Sequence, residues 1–293
     1  MKQMKQFRRT ALAVAAAALL LPTQVLATSS VWKVSKGDDF IYLGGTIHVL
    51  PASEFPLPAE FEQAYRTADT LVLEVQLPDP TDQQAALAMM QQLSYGAGEK
   101  LSTKLSPELV KQLDTYLQGF GLSAAQFDGF KPGFITVQMT VLEMQRAKLA
   151  GEGVDNYFAK KAMADNKQKK YLESLEFQIS MLANLGHGQE EQFIELMLKN
   201  NSELIEIMQQ SIAAWRKGDM EKLDQLLLQD AKIDDPVTYD QMFTQRNLAW
   251  IPKLVALFDN QQRELVLVGA GHLPGEDGVL QLLKSAGYTI EQM

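Results

Sequence analysis

The chain has 293 residues, 46% apolar and 22% charged, an ordinary globular composition with length enough to bury a core unaided by staples. It contains no cysteine, which excludes disulfide frameworks, thiol nucleophiles, iron–sulfur clusters and cysteine-bound zinc. With 27 basic against 36 acidic residues and a net charge of −9, it lacks the basic surplus that phosphate contacts demand, and nucleic acid is excluded as a partner.

The first 27 residues read as an address. Lys2, Lys5, Arg8 and Arg9 form a basic head without an acid, the apolar run Ala11 to Leu21 follows, and Val25-Leu26-Ala27 supplies a small-residue exit. This is the pattern of a secretory signal peptide cleaved after Ala27. The run is too short for the ~20 residues of a membrane-spanning helix. The expected product is an exported protein, periplasmic or secreted, with no stable membrane insertion. Its charge of −13 follows from losing four of the 27 basic residues and none of the 36 acids.

Residues 28–293 read as one domain. Val31–Val34 and Phe40–Leu43 are short strands around a turn that contains Gly37, a hairpin signal. Pro58 opens a helix to about Ala68 with Phe61, Ala64, Tyr65 and Ala68 on one face. Leu71–Val75 reads as a buried strand, and a helical stretch covers about residues 82–165. Within it, Ser106-Pro107-Glu108 is a helix start. Lys170–Leu175 reads as another strand, Glu203–Trp215 as an amphipathic helix, and Tyr239–Phe258 as one long helix. The end is strand Leu265–Gly269, helix Gly278–Ala286 and strand Tyr288–Ile290. The fold class is therefore α/β: a mixed central β-sheet flanked by helices, with a helical insertion.

The motifs of serine hydrolase elbows, phosphate loops and helical zinc pairs are all missing from the sequence. What remains is a matched pair. Two of the three histidines, His48 and His272, each follow an apolar strand through G-x-x-H: Gly45-Thr46-Ile47-His48 and Gly269-Ala270-Gly271-His272. Strand ends are where open α/β sheets place their sites, and imidazole binds metal or moves protons near neutral pH. Glu74, inside Leu71–Val75, and Glu173, inside Tyr171–Leu175, are carboxylates in apolar runs, which require a metal, a hydrogen-bonding set or an ion pair. Arg246 is the partner at hand, as an ion pair or an oxyanion stabiliser. His187 stands without a second histidine nearby and reads as a residue without chemistry.

In these pieces the chain resembles the TraB/GumN proteins, related to the Tiki-type metallopeptidases. The resemblance runs from Gly45–His48 and Leu71–Glu74 through Gly153-Val154-Asp155, Leu172-Glu173-Ser174 and Arg246-Asn247 to Gly269–Leu273, Gly275–Gly278 and Gly287-Tyr288. It implies an α/β fold with both G-x-x-H motifs at one site, and peptide-bond hydrolysis with a divalent ion in the Tiki branch. The broader erythromycin-esterase-like superfamily includes hydrolases without metal.

The leading expectation is a metal-dependent hydrolase of peptides or protein N-termini. His48 and His272 would ligate Mn, Co or Zn, with Glu74 as third ligand or general base. Glu173 is expected as a second acid or base, Arg246 at the oxyanion, and Asp155 as a weaker supporting residue. A second reading drops the metal and uses His48 as general base on a small ester or lactone. A third is a non-enzymatic periplasmic protein that binds a peptide or polymer.

Overall fold

The computed structural model describes residues 29–76, 81–260 and 262–293; the expected leader, residues 1–27, lies outside them. Chain order is β1 (Val31–Lys36), β2 (Asp39–Thr46), α1 (Ala59–Thr67), β3 (Thr70–Leu73), α2 (Gln83–Gln92), α3 (Pro107–Gln118), α4 (Pro132–Arg146), α5 (Val154–Ala164) and β4 (Gln168–Tyr171). There follow α6 (Leu175–Asn184), α7 (Glu190–Asn200), α8 (Leu204–Lys217), α9 (Met220–Leu227), α10 (Gln229–Asp234), α11 (Pro236–Tyr239), α12 (Gln245–Val255), β5 (Glu264–Gly269), α13 (Val279–Ser285) and β6 (Thr289–Gln292). No described helix is long and apolar enough to cross a membrane.

The six strands make one mixed sheet in the order β4-β3-β5-β2-β1-β6. β1 pairs antiparallel with β2 and β6, whereas β4, β3, β5 and β2 run parallel to one another. All six residues of β5 are buried, as expected of a parallel strand covered on both faces. Its side chains alternate between two cores. Leu265 and Leu267 pack with Leu71, Leu73, Phe61, Phe158 and Trp215 on one face, and Val266 and Val268 pack with Val72, Ile41, Trp250 and Leu283 on the other. A separate apolar cluster, with Leu113, Ile135, Met139 and Ile194, holds α3, α4 and α7 together away from the sheet.

Three elements differ from the sequence reading in ways that matter to the site. β3 ends at Leu73, so Glu74 stands just past the strand instead of interrupting it. β4 occupies Gln168–Tyr171, which frees Leu172 and Glu173 to turn into α6. The single helix expected over Tyr239–Phe258 is divided by a π-turn at Asp240–Thr244, immediately before Arg246.

Candidate functional site

The parallel register assembles the site. Thr46 of β2 pairs with Gly269 of β5, Leu73 of β3 with Leu267 of β5, and Tyr171 of β4 with Leu73. Four neighbouring strands thus end together, and their next residues carry His48, His272, Glu74 and Glu173 to one sheet edge. This is the carboxyl end at which parallel sheets hold ligands. The two histidines and Glu74 meet at the bare face of Gly269. A Cβ placed there would lie 3.3 Å from Glu74 Oε1, 3.4 Å from His48 Nε2 and 3.6 Å from His272 Cδ2, so the missing side chain keeps the space between them clear.

His48 is held from outside the sheet. The Gly153-Val154-Asp155 turn docks on its loop through Val154 N–H donating to Ile47 O at 3.1 Å. The approach is so close that a Cβ on Gly153 would fall 2.2 Å from the His48 carbonyl oxygen. This brings Asp155, in the first turn of α5, to 3.0 Å from His48 Nδ1. A carboxylate only accepts, so Nδ1 carries the proton and Nε2 faces the site. Its side chain is mostly exposed, 61% of its surface meeting solvent. Loss of hydration lowers its pKa, but the Asp155 hydrogen bond and charge, together with the Glu74 charge, more than offset this and raise it to about 9.

His272 is locked. Asn247 Nδ2 donates to Asp277 O at 2.8 Å, which turns Asn247 Oδ1 toward His272 Nδ1 at 2.6 Å. Arg246 Nη1 can only donate, and it meets His272 Nε2 at 2.9 Å. His272 is therefore neutral with its proton on Nδ1. Its ring lies against Trp250, centroids 4.4 Å apart. Burial holds the imidazole uncharged against the pull of Glu74, with the Arg246 and His48 charges reinforcing it, and its pKa falls to about 3.

Arg246 occupies the centre. Nη2 donates to Glu74 Oε2 at 2.7 Å and Glu173 Oε2 at 2.9 Å, Nε to Glu173 Oε1 at 2.9 Å, and Nη1 to Met242 O in the π-turn at 3.1 Å as well as to His272. Its five N–H groups are all engaged. Glu173 also accepts from Trp250 Nε1 at 2.8 Å and Gln178 Nε2 at 3.0 Å. Glu74 accepts from Gly269 N–H at 2.6 Å and from Gln178 at 3.2 Å. Burial favours its neutral form, but the His272 and His48 rings, the Arg246 guanidinium and the Gly269 amide outweigh that and lower its pKa to about 2. In this arrangement every Arg246 N–H and both Glu173 oxygens are already hydrogen-bonded within the protein, and the two residues brace Glu74 and His272.

The expected metal ligands meet, but they do not fit a divalent ion. His272 Nε2 and Glu74 Oε2 point at the Arg246 guanidinium, and a metal bound to either would stand close to a fixed positive charge. Glu74 Oε1 accepts one backbone amide and keeps a lone pair, so Oε1 and His48 Nε2 are the two donor atoms left facing the space. No three His, Asp or Glu groups among the described residues are arranged to hold a metal. The permanent cation in this site is an arginine.

His187 lies elsewhere, with its side chain 69% exposed and Nδ1 4.0 Å from Glu190 Oε1. Sequence reasoning missed Trp250 and Gln178 and gave Asn247 no role. The signal for two of them was the spacing Arg246, Asn247, Trp250, which places all three on one helical stripe.

The sequence profile of the TraB/PrgY/gumN family matches residues 30–292, nearly the whole described chain, and the protein belongs to that family. Among curated proteins it is similar to the uncharacterized protein YbaP of Escherichia coli (strain K12), 27% identical over 249 residues that cover 85% of this chain and 89% of YbaP. YbaP of Shigella flexneri shows the same identity and coverage. No solved structure matches the chain.

The buried pair makes acid stability a sharp expectation. His272 has a native pKa of about 3, against ~6.5 in an unfolded chain, so its contribution to stability is complete above pH ~6.5 and is lost as the pH falls toward 3. Glu74 adds to the loss only below its unfolded value of ~4.5, and His48, whose pKa is raised, titrates on the alkaline side. Between pH ~6.5 and ~4.5 the protein should lose stability steadily, on the order of 1 kcal/mol per pH unit, as the unfolded chain takes up a proton that native His272 refuses. Urea unfolding across that window measures it. His272→Gln should start lower in stability and flatten this limb; a mutant limb as steep as wild type contradicts the assignment.

Proposed function

We propose that this protein is an exported hydrolase of esters or amides that works by general acid–base catalysis without a metal, with His48 as the base. The observation that carries it is the His48–Asp155 pair, which fixes the Nδ1–H tautomer and aims Nε2 at the cleared space beside Gly269. In this reading neutral Nε2 takes a proton from water as the water attacks the carbonyl carbon, and the imidazolium returns a proton to the leaving oxygen or nitrogen. Asp155 holds the ring and stabilises its charge. Glu74 faces the same space as a fixed anion that favours the imidazolium forming beside it, while Arg246, Glu173, Asn247 and Trp250 hold Glu74 and His272 in place.

The expected metallopeptidase shares these residues, and one assay separates the readings. The purified protein is offered uncharged esters, lactones and N-terminal peptides, before and after exhaustive chelation. Hydrolysis that survives chelation supports the proposal; hydrolysis lost on chelation and restored by Mn, Co or Zn overturns it. Failure to hydrolyse any of them favours the binding-protein reading. Export rests on the leader pattern of residues 1–27, and an intact mass of secreted protein that starts anywhere but Thr28 counts against it.

A further inference from the structure

Beside Glu173 the sheet edge opens into a cleft of about 590 Å³ between α2 and α6, within the range of small-molecule sites. Ala85, Ala88, Met89 and Gln92 of α2 line it at spacings of three, four and seven, one continuous helical stripe. Leu175 and Ile179 of α6 face them, and Met89 and Leu175 pack on the small apolar cluster of Leu93, Ile179 and Ala183 beneath. Two alanines therefore leave room above an apolar floor. Among the described residues, the charged groups lining the cleft are Asp82, Glu173 and Glu176, with no lysine or arginine. Its inner end adjoins the site, since Glu173 lines the cleft and Gln178 bridges Glu173 and Glu74.

We infer that this cleft binds the apolar chain of the substrate, and that the substrate is a neutral or cationic ester or amide with an unbranched apolar group on one side of the scissile carbonyl. The inference rests on the hydrolase reading above. The apolar stripe rewards each methylene it buries, the small residues set the width, and the carboxylates repel a substrate with an anionic tail. Glu173 belongs both to the cleft and to the hydrogen-bonded set around Arg246, and this adjacency is why the cleft is assigned to a part of the reacting molecule.

The test uses the mature chain and two ester series, one lengthening the acyl group from acetyl to octanoyl and one lengthening the alcohol. In one series, kcat/KM should rise about fourfold per methylene, the value of burying that group, until the cleft is full. Ala88→Trp fills the cleft from an exposed helix face and should flatten that series, so that the ratio of octanoyl to acetyl kcat/KM falls at least about tenfold below that of wild type. Glu176→Lys, at the exposed rim, should raise kcat/KM for an ester ending in a carboxylate about tenfold relative to its neutral analogue. If wild type turns over neither these esters nor the matching amides, the hydrolase reading falls and this inference with it. If esters are turned over without chain-length dependence, or with a dependence that Ala88→Trp leaves intact, the cleft inference alone is wrong.

Discussion

Arg246→Met should cost the fold at least about 3–5 kcal/mol, the usual penalty for removing one partner of a buried ion pair. Glu74 and Glu173 would be left as neighbouring buried carboxylates without their shared cation, and His272 Nε2 and the Met242 carbonyl without a donor. At ~2–4 °C per kcal/mol for a chain of this size, the thermal midpoint should fall by about 6–20 °C. Arg246→Lys should recover little of it, because an ammonium offers three donors where the guanidinium places five in a plane. Calorimetry of the three proteins at pH 7 decides the matter. A lysine variant as stable as wild type would show that charge alone matters and that the planar geometry does not.

His48→Ala should do the reverse: leave stability within about 1 kcal/mol, since most of the side chain is exposed, and lower kcat/KM by about 10²–10⁴-fold, the range for losing a positioned base. The same loss should be reachable from a residue that never touches substrate. Gly153→Ala forces a methyl against the His48 carbonyl, so the turn carrying Asp155 has to back away and the ring loses its anchor. Steady-state kinetics on any ester that wild type hydrolyses compares the two variants. Full activity in His48→Ala removes it from the chemistry.

Much of this site was legible because its parts are local. Strand patterns such as Leu265–Val268, each ending in G-x-x-H, announce a sheet edge, and the acids Glu74 and Glu173 stand out against apolar neighbours whatever the topology. The sequence does not show that β2 and β5 are adjacent, and that pairing alone turns two similar motifs into one place. The metal expectation followed from the residue types, two imidazoles and a carboxylate. It could not include what Arg246 does, because whether an arginine lies on a surface helix or among buried acceptors depends on a π-turn and on contacts to residues as far away as Glu74. Asp155 was undervalued for a similar reason: its importance lies in how closely Gly153 lets α5 approach His48, a packing fact invisible in a string of letters.

The pH dependence of kcat/KM in chelator-treated enzyme tests the central claim most directly. Protonated His48 is inactive as a base, so activity should rise with pH through an inflection well above the ordinary imidazole value of ~6.5, toward the site's pKa of about 9. Asp155→Asn removes the charge that chiefly raises that pKa, and should move the inflection downward while lowering the plateau. An inflection that stays put in Asp155→Asn, or activity that appears only when a divalent ion is returned, would contradict a metal-free site built on His48.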